Sequence, residues 1–204
     1  MKTIGVLHPG EMGSAVGAAA RAAGGRVLWA SSGRSGITRG RAAADGLEDA
    51  TSVERVARES DVILSVVPPA NARNVAREVA ALRFHGTYVD ANAVAPATTR
   101  EVGEIVGAGG ARFVDGGIIG PPPRRPGVAR LYLSGAGAAD VAACFTGSLL
   151  EAIALDGPVG AASALKVAYA GWNKGSQALL LAIRALAAHE GVDEALIAEW
   201  QKSM

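Results

Sequence analysis

His8-Pro9-Gly10-Glu11-Met12-Gly13 follows the apolar run Thr3-Ile4-Gly5-Val6-Leu7 and leads into Ser14-Ala15-Val16-Gly17. The apolar run predicts a buried strand. Met12 to Ala23 is rich in helix formers and stops at Gly24-Gly25, a helix-ending signal. Arg26 to Ala30 predicts a second strand. Strand, turn, helix and strand within about 30 residues make a parallel β-α-β unit. Its first turn carries two glycines three apart, Gly10 and Gly13. In a dinucleotide fingerprint such glycines let the backbone approach a pyrophosphate and let helix pack closely on strand. The helix N-terminus then offers free N–H groups and a positive dipole end to the phosphates. His8 stands where the first glycine of the fingerprint would be. The alternative is an ordinary β-α turn whose glycines serve geometry alone.

The alternation continues outward from this unit. Val53 to Glu59, Asn71 to Leu82 and Pro96 to Val106 predict helices. Asp61 to Val67, Thr87 to Asp90 and Arg112 to Asp115 predict strands. Val128 to Ser134 and Glu151 to Leu155 predict late strands around a helix near Ala138 to Phe145. Strands that read as unbroken apolar runs belong to a sheet covered on both faces. The class expected is α/β, a Rossmann-type doubly wound sheet over residues 1–157. Residues 158–204 read as a helical segment that opens an all-α domain, one helix from about Gly160 to Glu190 and a short one after Asp193. So long a helix needs further helices to bury its apolar sides, from a partner or from chain beyond Met204.

Bulk composition narrows the class. Half of the 204 residues are apolar and 19% are charged, with a formal net charge of +1. That balance carries no footprint for nucleic acid or an anionic membrane. Cys144 is the sole cysteine, so no intrachain disulfide is available. It reads as a packing residue. No signal-like or membrane-spanning stretch is expected, and a cytoplasmic protein follows as the expectation. No metal site is expected.

The second strand ends at Ala30-Ser31-Ser32-Gly33-Arg34-Ser35. An NAD site usually places a carboxylate there for the ribose 2′-hydroxyl, whereas an NADP site puts a basic group near the 2′-phosphate. No Asp or Glu lies between Glu11 and Asp45. Ser31, Ser32, Arg34 and Ser35 supply hydroxyls and a guanidinium fork, with Arg39 and Arg41 close in sequence. NADP is the cofactor expected. A solvated basic loop is the alternative.

Several segments together resemble the 6-phosphogluconate dehydrogenase-like superfamily, which includes the β-hydroxyacid dehydrogenases and imine reductases. His8-Pro9-Gly10-Glu11-Met12-Gly13 is similar to its Gly-Leu-Gly-x-Met-Gly turn, and Ser65-Val66-Val67-Pro68 to its loop beside the cofactor. Val89-Asp90-Ala91-Asn92-Ala93-Val94-Ala95-Pro96 resembles its Asp-x-Ser-Thr-x-x-Pro segment. Phe113-Val114-Asp115-Gly116-Gly117-Ile118-Ile119-Gly120 resembles its substrate loop, Asp-Ala-Pro-Val-Ser-Gly-Gly. Gly160-Ala161-Ala162-Ser163-Ala164-Leu165-Lys166 resembles the Gly-x-Gly-x-x-x-Lys segment that carries the catalytic lysine. The resemblance implies hydride transfer on a small hydroxy acid or related carbonyl. It also implies an all-helical second domain that forms a homodimer around the long helix. It places the cofactor on His8 to Gly13, Val67, Pro68 and Asn92, and the substrate on Gly117, Ile118, Ile119 and Gly120. Two positions depart from the pattern. The substrate-loop serine falls at Ile119, and the asparagine four residues after the lysine falls at Ala170. An ordinary hydroxy acid is therefore not the expected substrate.

Lys166, Ala170, Asn173 and Gln177 fall close to one line on a helix. Lys166 is the expected proton donor, its pKa lowered by burial and the nearby Lys174. Asn173 is a candidate to replace the asparagine missing at Ala170, and Tyr169 is an alternative donor. A solvated stripe or a dimer seam would present the same spacing. Asn92 is read either as a hydrogen-bond partner of the nicotinamide ribose or the substrate, or as a turn former. The stiff loop Pro121-Pro122-Pro123-Arg124-Arg125-Pro126 is read either as a surface connection or as an arginine site for an anionic substrate. Two further functional readings remain beside the hydroxy-acid one. One is imine reduction. The other is a non-catalytic NADPH-binding sensor or scaffold.

Overall fold

The computed structural model describes residues 1–203. Eight strands form one sheet: β1 (Thr3–Val6), β2 (Arg26–Trp29), β3 (Glu48–Asp49), β4 (Val62–Ser65), β5 (Thr87–Asp90), β6 (Arg112–Ile119), β7 (Arg130–Ser134) and β8 (Glu151–Ala154), in the spatial order β3-β2-β1-β4-β5-β6-β7-β8. The pairs from β3 to β6 are parallel, β7 runs antiparallel to β6, and β8 runs parallel to β7. The helices are α1 (Glu11–Ala22), α2 (Gly36–Ala44), α3 (Val53–Glu59), α4 (Ala72–Ala81), α5 (Pro96–Ala108), α6 (Ala138–Ala142), α7 (Ala161–His189) and α8 (Asp193–Ser203). This is the doubly wound α/β class that the alternation predicts.

Neighbouring strand residues feed two separate cores. Val27, Trp29, Val62 and Leu64 join one cluster with Val16 and Ala20 of α1. Leu28, Ile63 and Tyr88 join another with Val75 and Val79 of α4 and Val102 of α5. A strand buried on both sides has no polar face to show, which is why these runs read as continuous apolar stretches. After β3 the chain crosses back to place β4 beside β1. The order therefore reverses between β1 and β4, and ligands of open α/β sheets bind at the carboxyl ends of the strands at such a switch.

Three features go beyond the sequence reading. Ser35 caps α2 by accepting the Thr38 N–H at 3.3 Å, and this helix fills a stretch read only as a basic loop. The two-residue β3 is too short to signal itself. The sixth strand runs past Asp115 to Ile119 because β7 pairs with its second half.

The chain divides into two compact units, Met1–Lys166 and Val167–Met204. In the second, α7 turns at Gly191 into α8, and Arg184 grips Asp193 with Nε and Nη2, the latter to Oδ2 at 2.6 Å. Among the described residues no helix is long and apolar enough to cross a membrane, and no three His, Cys, Asp or Glu side chains gather as a metal site.

Candidate functional site

The glycine loop sits between the end of β1 and α1. Gly10 accepts the Ser14 N–H at 2.9 Å and donates to the His8 carbonyl at 2.8 Å, but no side chain caps the helix start. The first N–H groups of α1 are thus left for a ligand. Gly10 and Gly13 serve different ends. A Cβ at Gly10 meets nothing within 4 Å and would project into open space. A Cβ at Gly13 would lie 2.6 Å from the His8 carbonyl oxygen, so this position secures helix–strand packing. Glu11 and Gly10 are exposed, Met12 is half-buried and Pro9 is buried.

Two polar groups beside this loop are buried with no partner: Nδ1 of His8 and Nε of Arg34. Burial first, and then the Arg34 charge, hold the His8 imidazole down at about 4, so it is neutral near pH 7. Arg41 donates to the Pro9 carbonyl at 3.5 Å, and Arg39 to the Arg34 carbonyl at 3.3 Å. Basic groups from α2 and the segment before it thus gather at the glycine loop. The serines of this segment divide. Ser35 is spent on its helix cap, Ser32 is exposed, and Ser31 is buried. Asp49 was missed by sequence reasoning because β3 carries it back beside β2, Trp29 opposite Asp49. An open loop, an uncapped helix N-terminus and unpartnered polar groups, the Arg34 Nε–H among them, fit a nicotinamide dinucleotide.

On the β4 side, Asn92 is 2% exposed and its side chain is engaged on two sides. Its Oδ1 accepts the Val67 N–H at 2.6 Å, and its Nδ2 donates to Ser65 Oγ at 3.1 Å. It braces the loop that presents Val67 and the exposed Pro68.

The substrate-loop stretch separates into unlike parts. Ile118 and Ile119 are buried, at 5% and 6% exposure. Gly120 turns the chain with φ of +109°, where a Cβ would collide with the Val128 carbonyl oxygen. Gly117 lies under the first turns of α7: a Cβ there would stand 2.7 Å from the Ala162 carbonyl oxygen and 3.3 Å from Lys166 Cβ. The structure thus brings Gly117 and Lys166 together, beyond the point where β5 ends against β6.

A network absent from the sequence reading holds this junction. The Asp115 carboxylate is fully buried. Its Oδ2 accepts Ser134 Oγ at 3.0 Å, Gly160 N at 2.9 Å and Ser163 N at 3.0 Å, and its Oδ1 accepts Ser163 Oγ at 2.6 Å. Ser163 also meets Thr99 Oγ1 at 2.8 Å, and Ser134 Oγ accepts Ala162 N at 3.1 Å. Asp115 and Ser134 together cap α7 from the sheet, with the negative charge placed at the helix's positive end. The cap fixes the start of the helix and with it Lys166. Ser163, three residues after Gly160, was the available signal.

Lys166 is half-buried, and burial lowers its pKa while the Asp90 carboxylate opposes that shift. Tyr169, which is 46% exposed, and the half-buried Asn173 lie past Val167 in the second unit, with Ala170 half-buried and Gln177 exposed. Arg124 is committed elsewhere. It forms a bidentate pair with Asp45, at 2.5 and 2.9 Å, and Ser14 of α1 donates to the same carboxylate. Cys144 is a half-buried free thiol packed against one core.

The order reversal, the open glycine loop and the uncapped α1 define a domain that binds a nicotinamide dinucleotide. Residues 3–143 match the NAD binding domain of 6-phosphogluconate dehydrogenase, and the chain belongs to that family. Solved structures resemble it over almost its whole length. One is a conserved protein of unknown function, described as structurally similar to 3-hydroxyacid dehydrogenases. It is 28% identical with a TM-score of 0.82, over 98% of this chain and 75% of that one. A conserved hypothetical protein from Sinorhizobium meliloti 1021 is 28% identical with a TM-score of 0.79, over 100% of this chain and 70% of that one. An imine reductase variant from Myxococcus stipitatus, solved with NAD+, is 25% identical with a TM-score of 0.77, over 100% and 73%. No curated protein matches the chain in sequence.

Proposed function

We propose that the chain is an NADPH-linked oxidoreductase acting on a small carbonyl, hydroxy acid or imine, with Lys166 handling the proton. The observation that carries this reading is the placing of Lys166: a half-buried amine with a lowered pKa, anchored over Gly117 by a buried helix cap. A bound nicotinamide supplies or accepts the hydride. In the direction of reduction, the Lys166 ammonium donates a proton to the oxygen or nitrogen that becomes anionic, and in oxidation the neutral amine removes it. Burial brings the amine nearer the working pH, where general acid–base catalysis is most effective. Asn173 and Tyr169 are proposed as a substrate contact and an alternative donor.

NADPH is favoured over NADH by the half-buried Arg34 with its unpartnered Nε, beside the exposed Ser32 and the start of α2. The carboxylate opposite the end of β2, Asp49, accepts the Thr51 N–H at 2.7 Å. We further propose that α7 forms a homodimer seam, because Trp172, Leu179, Leu181 and Leu186 are all more than 60% exposed.

The test is a fluorescence titration with NADPH and NADH, followed by NADPH oxidation across a panel of 3-keto acids, small ketones and cyclic imines. Lys166→Ala should lower kcat on the order of 10²-fold or more while leaving NADPH affinity unchanged. Unchanged turnover removes the assigned role. A non-catalytic NADPH sensor is the second reading. It is favoured by Ile119 and Ala170, which put apolar side chains where the family pattern has a serine and an asparagine. Tight NADPH binding with no oxidation by any panel member would select it.

A further inference from the structure

Asp90 ends β5 with a carboxylate that is 1% exposed and only half satisfied. Its Oδ1 accepts the Asn92 N–H at 2.8 Å, whereas its Oδ2 is buried without a hydrogen-bond partner. An ionised oxygen in that position calls for a cation. Asp115, its register partner on β6, gives no relief, because its own oxygens are taken by Ser134, Gly160 and Ser163. The two residues that follow Asp115 are glycines. A Cβ on Gly116 would lie 3.1 Å from the Asp90 carbonyl oxygen, and one on Gly117 would press into Ala162 and Lys166. The double glycine is what lets the first turns of α7 close onto the sheet where β5 ends. The cation this approach brings within electrostatic reach of Asp90 is Lys166.

We infer that Asp90 is the buried counter-ion of Lys166, a positioning residue that keeps the amine protonated until it is called on as a donor. The inference rests on the donor role proposed for Lys166. Burial alone drives a lysine toward the neutral amine, which has no proton to give. The carboxylate works against that. Burial also pushes the Asp90 carboxyl up to about 6, with the Asp115 charge adding to the rise while the Asn92 hydrogen bonds and Lys166 oppose it. Asp90 is therefore ionised above about pH 6, the range in which the ammonium needs support. The titratable groups that act on it or feel it are Asp115, Lys166 and the buried Tyr88 phenol, whose pKa burial and then the Asp90 charge raise.

Four lysines make the test direct: Lys2, Lys166, Lys174 and Lys202. Reductive methylation with a ¹³C label gives one dimethylamine signal for each, and Lys166→Arg identifies the signal of Lys166. In Asp90→Asn, whose amide oxygen still accepts the Asn92 N–H, the Lys166 titration midpoint should move to lower pH while the other three stay. An unmoved midpoint overturns the inference. The reciprocal measurement keeps the question open to refutation should that variant fold poorly. Lys166→Met should raise the Asp90 midpoint, read from its carboxyl ¹³C shift, and no change there is equally fatal. With a substrate in hand, the basic limb of the kcat/KM profile should shift to lower pH in Asp90→Asn along with the Lys166 midpoint. The two ideas fail separately: full turnover in Lys166→Ala removes the donor role whatever the titrations show, and an unmoved Lys166 midpoint removes the counter-ion whatever the turnover.

Discussion

Removing the Asp115 carboxylate should loosen the start of α7 by an amount that the hydrogen bonds set. Asp115→Ala strands two buried backbone donors, Gly160 N and Ser163 N, and both are held at 2.9–3.0 Å in the intact protein. The two serine hydroxyls can turn elsewhere, Ser163 toward Thr99. An unsatisfied buried donor costs about 1–3 kcal/mol, so two cost roughly 4 kcal/mol. For a chain of this size that lowers Tm by roughly 8–16 °C. Asp115→Asn is the control. Its amide oxygen can take the place of Oδ2 and keep the bonds to Ser134, Gly160 and Ser163 N, while its NH2 donates to Ser163. The loss should then be only about 1 kcal/mol. Urea unfolding gives the free energies, and amide hydrogen exchange over residues 160–166 reports the helix start directly. Equal losses in the two variants, or unchanged exchange in Asp115→Ala, would refute the capping argument.

The two loop glycines should behave oppositely. Gly10→Ala should stay within about 0.5 kcal/mol of the parent in stability yet bind NADPH at least about tenfold more weakly, whereas Gly13→Ala should lose about 1–3 kcal/mol of stability against the His8 carbonyl. Equal stabilities in urea would remove the distinction. Arg34→Ala should weaken NADPH binding by roughly 10–100-fold and leave NADH nearly untouched, the cost of a lost charged hydrogen bond; parallel losses for both coenzymes would exclude a 2′-phosphate contact. Asp90 gives a pH signature. Its folded pKa of about 6 lies above the ordinary 3.8, so its contribution to stability is complete below pH 4 and lost as pH rises through 6. Asp90→Asn should therefore be about 2–3 kcal/mol more stable than the parent at pH 8, with the gain vanishing near pH 4; parallel stability curves would count against an ionised Asp90.

Local pattern carried the strands, the major helices and the glycine loop. Period and punctuation act over a few residues, and the apolar runs of β1, β2, β4 and β5 are buried as they read. In the candidate site, Lys166 and Arg34 were legible as candidates by residue type and place in the chain, and the roles given to them are proposals. Ser35 looked like a phosphate ligand, yet its hydroxyl caps its own helix. Asn92 looked like a cofactor contact, and its amide instead holds Val67 and Ser65. A side chain's type states what it can bond, and its neighbours decide what it does bond.

Alternation of apolar runs with helical periods is a property of consecutive residues, so the doubly wound class and the place of the dinucleotide loop were determined by sequence alone. Tertiary structure decided the partners of the acids. Asp49 returns beside β2, Asp45 meets Arg124 across 79 positions, Asp115 accepts the Gly160 N–H from 45 residues on, and Asp90 comes within electrostatic reach of Lys166. Sheet pairing and helix packing create those neighbours, and a carboxylate's charge and hydrogen bonds act through space rather than along the chain.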